Sequence, residues 1–125
     1  MSELQRPRLI VCTTCRAGRR LADGETPPGA KLYAAVQALL AHPAAIDLRE
    51  VACLANCERG CSAAIAMPGK WTYLLGLLDP TMADDLLTYA GVYAASANGT
   101  VMPSRRPASL RDVIMGRVPD LENRA

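Results

Sequence analysis

The chain contains no phenylalanine and one tryptophan, and aromatic residues fill only 4% of its 125 positions. A sequence so poor in rings offers no platform for stacking nucleobases. It also lacks the charge to hold a polyanion: 14 Lys and Arg face 12 Asp and Glu, and a net +2 makes no case for nucleic acid. No apolar run is long enough to span a bilayer. The N-terminal MSELQRPR is polar and charged, without the apolar core of an export signal. These absences together predict a cytoplasmic protein that binds neither nucleic acid nor membrane. With one histidine there is no Ser/His/Asp set. A carboxylate pair and a glycine-rich phosphate loop are missing as well, so the expectation is a protein without a catalytic centre of its own. There is no internal repeat and no low-complexity segment.

Cysteine is what the chain does have. Five occur in two tight groups: Cys12 and Cys15 as C-x-x-C, and Cys53, Cys57 and Cys61 as C-x-x-x-C-x-x-x-C. In a reducing compartment such clusters serve as ligands or redox centres more often than as disulfides. Thiolates gathered from two distant segments suit a soft metal or an iron–sulfur cluster, because one short loop can aim two sulfurs at one site. Zinc takes four such ligands as readily as a [2Fe-2S] cluster does. The single His42 falls at the predicted end of a helix beside Pro43 and reads as a surface residue favourable to the helix dipole.

The remaining pattern predicts an α/β domain. Residues 8–11 form a short apolar run, a buried strand that delivers Cys12 to a loop over 16–29. Over 30–42 the apolar Leu32, Val36, Leu39 and Leu40 mark one helix face, ended by Pro43. Residues 46–52 alternate like a strand and lead to Cys53. Two apolar runs, 62–67 and 71–78, flank Pro68-Gly69 as a β-hairpin. Asp79 and Pro80 then open a second helix with Met82, Leu86, Ala90, Tyr93 and Ala94 inward, stopped by Asn98-Gly99. Trp71 and Tyr73 cover the sheet. The order is β-α-β then β-β-α, the thioredoxin-like arrangement: a single mixed sheet with helices packed on it. The domain is expected over residues 1–99. Residues 100–125 read as a tail with a short helix capped by Ser109 and Asp112, packed on the domain or on a second copy through Leu110, Val113 and Ile114.

Cys53-Leu54-Ala55-Asn56-Cys57, followed by Glu58-Arg59-Gly60 and an apolar strand, resembles the second cysteine motif of the thioredoxin-like [2Fe-2S] ferredoxins. In that family the first motif lies directly after strand one, as Cys12 does here. C-T-T-C-R, C-L-A-N-C-E-R-G-C and the segment beginning W-T-Y-L are also similar to an uncharacterised bacterial family described as predicted metal-binding proteins, whose members often lie near cobalamin-pathway genes. The resemblance implies a [2Fe-2S] cluster on Cys12, Cys15, Cys53 and Cys57. The match departs from the ferredoxin pattern at Cys15, which lies closer to the first cysteine than in typical members, and at Cys61, where many members have proline. Cys15 and Cys61 therefore compete for the fourth position, and Cys15 is preferred because it pairs with Cys12 on one loop.

The implied role is an electron carrier or redox accessory with a redox partner protein, in a cofactor-biosynthesis pathway and as a possible homodimer. One alternative is an accessory or chaperone protein binding zinc or another metal. The other is a dithiol oxidoreductase using Cys12 and Cys15. Gly18, Pro27, Pro28 and Gly29 separate Cys15 from the next helix, which counts against the dithiol, since thioredoxin-type cysteines are activated at a helix N-terminus. Arg16, Arg19, Arg20, Arg49 and Arg59 lie near the cysteines in sequence. They read either as ordinary surface arginines or as charge that raises a cluster's potential and attracts an acidic partner.

Overall fold

A computed structural model describes residues 6–40 and 45–121. Strand β1 (Arg8–Cys12) buries Leu9 and Val11 and exposes Arg8. Helix α1 (Pro28–Leu39) and strand β2 (Asp47–Val51) complete the first unit, with β1 and β2 parallel from Arg8↔Asp47 to Cys12↔Val51. Strands β3 (Ala63–Ala66) and β4 (Thr72–Leu75) form the hairpin. Pro68-Gly69 turns it as expected: Lys70 N–H donates to the Met67 carbonyl at 3.1 Å, and Gly69 takes φ +78°, which the third position of a type II turn requires. Helix α2 (Ala83–Ala95) follows a 3₁₀ turn at Pro80–Met82 whose first backbone N–H bonds are received by Asp79. Strand β5 (Ile114–Val118) is the last strand among the described residues.

The sheet order is β2-β1-β3-β4-β5. β1 is parallel to β2 and antiparallel to β3, so the sheet is mixed, as expected. The central strand β3 sets the large Ile65 among three alanines, and Ala63, Ala64 and Ile65 are buried. Leu9, Val11, Leu32, Val36, Ile65, Leu75, Leu86, Tyr89 and Tyr93 fill the core, and the two helices pack against each other with α1 on β1. Tyr93 donates to the Trp71 carbonyl at 2.6 Å and meets Tyr73 edge-on at 6.3 Å. Lys70 Nζ bonds the last carbonyls of α2, where a cation suits the helix dipole.

Three expectations need correction. Helix α1 starts at Pro28, two residues before the apolar pattern, because proline without an N–H is at ease in a helix's first turn. Leu32 and Val36 face the core, but Leu39, the last residue of the helix, is half exposed. His42 and Pro43, expected to end that helix, lie outside the described residues. In α2 the face turns to bury Tyr89, a residue the pattern omitted, while Met82 and Ala94 are only partly buried.

The third correction concerns residues after 99. The expected short helix is a single 3₁₀ turn, Ala108–Leu110, and Ser109 Oγ donates to Asp85 on α2 instead of capping. β5 then pairs antiparallel with β4, with a bulge that leaves Met115 unpaired between Gly116 and Ile114. Val101, Leu110 and Val113 are buried, so residues 100–121 share the sheet and the core with the rest.

Candidate functional site

Both cysteine groups leave the sheet at the same end. Cys12 is the last residue of β1; its N–H donates to the Ser62 carbonyl at 3.0 Å, and its Sγ lies 3.5 Å from the Ala52 carbonyl, next to the exit of β2. Thr13 N–H reaches the Val51 carbonyl at 2.9 Å, and Thr14 Oγ1 bonds the Ala52 carbonyl. These bonds stitch the C-T-T-C loop to the segment carrying Cys53. Parallel pairing of β1 with β2 is thus what brings two motifs about forty positions apart in sequence to one end of the sheet.

The five thiols divide by depth. Cys12, Cys15 and Cys61 are buried, Cys53 and Cys57 are exposed, and none is in a disulfide. Cys53 Sγ and Cys57 Sγ stand 3.9 Å apart, and Ala55 N–H donates to Cys53 Sγ at 3.2 Å. Ala55 holds φ +58° in that loop and Ala17 φ +54° in the other, a left-handed conformation that costs a non-glycine residue and bends each loop tightly. Cys57 is hydrogen-bonded to Cys53, which raises its pKa; the weaker fields of Cys12 and Cys15 push the same way, a sign that the two groups share one neighbourhood. Cys61 is wholly buried, and loss of water, followed by the field and hydrogen bond of Cys15, pushes its thiol up to about 12. Cys15 and Cys61, the competitors for the fourth position, are therefore neighbours. A cleft of about 370 Å³ opens between the groups, lined by Cys12, Thr14, Cys15, Arg16, Arg19, Cys57 and Glu58 among others. Among the described residues no three Cys, His, Asp or Glu side chains already converge on one ion-sized point.

Two glycines, read from the sequence only as loop and motif residues, set the buried half of this arrangement. A Cβ on Gly60 would lie 1.8 Å from Cys15 Sγ, so that sulfur rests against the bare backbone between Cys57 and Cys61. A Cβ on Gly29 would lie 2.0 Å from the Cys12 carbonyl oxygen, and Gly29 N–H donates to the Cys15 carbonyl at 3.0 Å. The start of α1 is consequently packed on the C-T-T-C loop, although more than ten residues intervene. The position of Gly60 inside C-E-R-G-C was the available signal. Asn56 was a further omission: its Nδ2 donates to the buried Ser62 Oγ at 3.0 Å and pins the second loop to the start of β3.

A family model covers residues 9–120, nearly the whole of this sheet and both cysteine loops. The chain belongs to that family, DUF1636, described as a protein of unknown function. No curated protein matches the sequence. Among solved structures the fold is similar to a thioredoxin-like [2Fe-2S] ferredoxin from Aquifex aeolicus, with a TM-score of 0.55 over 90% of this chain and 92% of that one. Sequence identity is 10%, so the likeness shows the thioredoxin-like fold and leaves the site to be argued from its residues. Among the described residues no helix is long and apolar enough to cross a membrane.

Proposed function

We propose that this family member is a [2Fe-2S] electron carrier or redox accessory, with Cys12, Cys15, Cys53 and Cys57 as the cluster's ligands. The observation that carries the reading is the convergence of two thiol loops at one end of a thioredoxin-like sheet, fastened by the Thr13–Val51 and Thr14–Ala52 bonds. The donor set suits the group: all-thiol, from two loops, with a backbone N–H already aimed at a sulfur, as expected where thiolate charge must be stabilised. Bound there, a cluster would supply reversible one-electron exchange. The chain's own part is to hold Cys12 and Cys15 out of water and to present Cys53 and Cys57 at the surface, toward a redox partner protein. The fold likeness to a ferredoxin supports this reading. The finer setting, a cofactor-biosynthesis pathway, rests on the sequence resemblance alone.

The test is anaerobic purification followed by reduction with dithionite. The account expects visible absorbance that bleaches on reduction and returns on reoxidation, with a paramagnetic signal from the reduced state. A protein colourless in both states overturns it.

One observation favours a second reading. The N-terminus of α1 is packed on the C-T-T-C loop through Gly29, which places Cys12 and Cys15 near the helix start that dithiol chemistry exploits. A dithiol oxidoreductase would be colourless as purified, free of metal, and able to reduce a low-molecular-weight disulfide in a Cys15-dependent manner.

A further inference from the structure

The charge of this chain is concentrated around its cysteines. Residues 12–20 and 53–61 carry Arg16, Arg19, Arg20 and Arg59 against Glu58 alone, a net +3 in a chain whose total is +2. All four arginines are exposed, and of the four only Arg19 forms an ion pair among the described residues, with Glu25 at 3.0 Å. Arg16 shares the cysteine cleft with Cys57, and Arg59 ends the 3₁₀ turn that Cys57 begins. The Arg59 carbonyl receives the N–H of Leu77.

Leu77 is itself unusual. It is 52% exposed, in a chain with few exposed large apolar residues, and it holds φ +55°, a conformation unfavourable for a branched side chain of this size. Its flanks are fixed: Gly76 N–H donates to the Val113 carbonyl, and Leu78 exchanges backbone bonds with Cys61. The fold thus holds an apolar side chain in water, in a costly conformation, one hydrogen bond away from the cysteine loop. An apolar centre within a polar rim is the anatomy of a docking surface, and backbone strain of this kind collects at functional positions.

We infer that Arg16, Arg59 and Leu77, tied to the loop of the exposed Cys53 and Cys57 by the shared cleft, the Cys57–Arg59 turn and the Leu77–Arg59 backbone bond, form the docking face for a protein partner whose contact surface is acidic with an apolar centre. This rests on the proposed redox role of the same cysteines. Charge complementarity selects the partner: the exposed guanidiniums steer and orient a carboxylate-rimmed surface, and a redox partner seated there would approach the thiol loops at the exposed Cys53 and Cys57. So few cations, with no aromatic stacking residue beside them, do not fit nucleic acid.

The face can be tested without any cluster, on the reduced metal-free protein. Modification of Cys53 and Cys57 by the dianionic 5,5′-dithiobis(2-nitrobenzoate) is compared with that by neutral 4,4′-dithiodipyridine. The neutral reagent reports the thiolate fraction, so the rate ratio isolates attraction of the anion. The expected ratio falls several-fold from low salt to 0.5 M salt, and several-fold again at low salt in Arg16→Glu/Arg59→Glu. An unchanged ratio in both arms overturns the cationic half. An anionic naphthalene sulfonate dye probes the apolar half: the account expects fluorescence from the folded protein that is lost in Leu77→Ser, with the circular dichroism unchanged. Equal dye binding by the variant overturns it. If a short single-stranded oligonucleotide shields the two thiols while poly-glutamate does not, the partner class is wrong. A protein that passes these tests but never holds iron would refute the cluster and leave the docking face standing.

Discussion

Substituting alanine for Gly60 and for Gly29 should have unlike consequences, because the two added methyl groups meet different atoms. At Gly60 the obstacle is the end of the Cys15 side chain, which can rotate away. The Gly60→Ala protein should lose only about 1 kcal/mol of stability, the low end for overpacking, yet expel Cys15 from its place and bind the cluster weakly or not at all. At Gly29 the obstacle is the Cys12 backbone carbonyl, which cannot rotate away, so Gly29→Ala should cost roughly 3 kcal/mol or prevent folding. Thermal denaturation and iron content of the two variants check this. Serine substitution ranks the ligands in the same way. Cys12→Ser, Cys53→Ser and Cys57→Ser should abolish normal cluster binding, Cys15→Ser should lose it or leave it labile, and Cys61→Ser should retain most of it. A colourless Cys61→Ser beside a brown Cys15→Ser would reverse the fourth ligand. The cysteines were legible from spacing alone. Gly60 and Gly29 were not, since what they avoid is a clash with residues about fifteen to forty-five positions away. The pH dependence also belongs to single residues. Cys61 is held neutral by burial, with its pKa raised from 9.0 to about 12, and Tyr89 is raised from 10.0 to about 12 by the same cause. Both therefore stabilise the metal-free fold below pH 9, and that contribution is lost as pH rises through 12. Between those limits chemical denaturation should show stability falling by at most about 1.4 kcal/mol per pH unit for each group. Cys61→Ala should make the slope shallower. An identical slope would show that the Cys61 thiol does not titrate from a buried site.

At the scale of elements, the last twenty-odd residues carry more of the fold than their composition suggests. β5 supplies the outer partner of β4, and Val101, Leu110 and Val113 of the same stretch are buried in the core. The Val113 carbonyl also receives Gly76 N–H, one residue before the Leu77 that bonds Arg59 in the cysteine loop. Deletion after Asn98 should therefore lower stability by several kcal/mol, removing three buried apolar side chains at about 1.5–3 kcal/mol each. It should also loosen the second cysteine loop, visible as faster cluster loss at temperatures where the full chain keeps it. A truncated chain with an unaltered melting temperature would contradict this. β1, β2, the hairpin and α2 were legible because each has an unbroken period and a chemical stop: a cysteine loop, Pro68-Gly69 or Asn98-Gly99. β5 was not. Ile114 to Val118 includes Gly116 and Arg117 and follows a serine and an aspartate that imitate a helix cap, so local chemistry favoured a helix. Pairing with β4, a tertiary effect, decided otherwise. The face of α2 was shifted by the same kind of effect, since Tyr89 packs beside Tyr93 at 6.4 Å and its ring is drawn inside.

For the whole molecule, the sheet and its two helices bring two sulfur-bearing loops to one end, and the fold is shared with a ferredoxin at 10% identity. Both the fold class and the meeting of the loops followed from the order β-α-β then β-β-α, because parallel pairing of the first two strands puts their C-terminal ends side by side. Which group such thiols would hold did not follow, since thiolates alone do not separate iron from zinc. Elemental and sulfide analysis of the anaerobically purified chain decides that directly. The account predicts about two iron atoms and about two acid-labile sulfides per chain, with negligible zinc. One zinc per chain, with neither iron nor sulfide, would contradict it and assign the thiols to a zinc site.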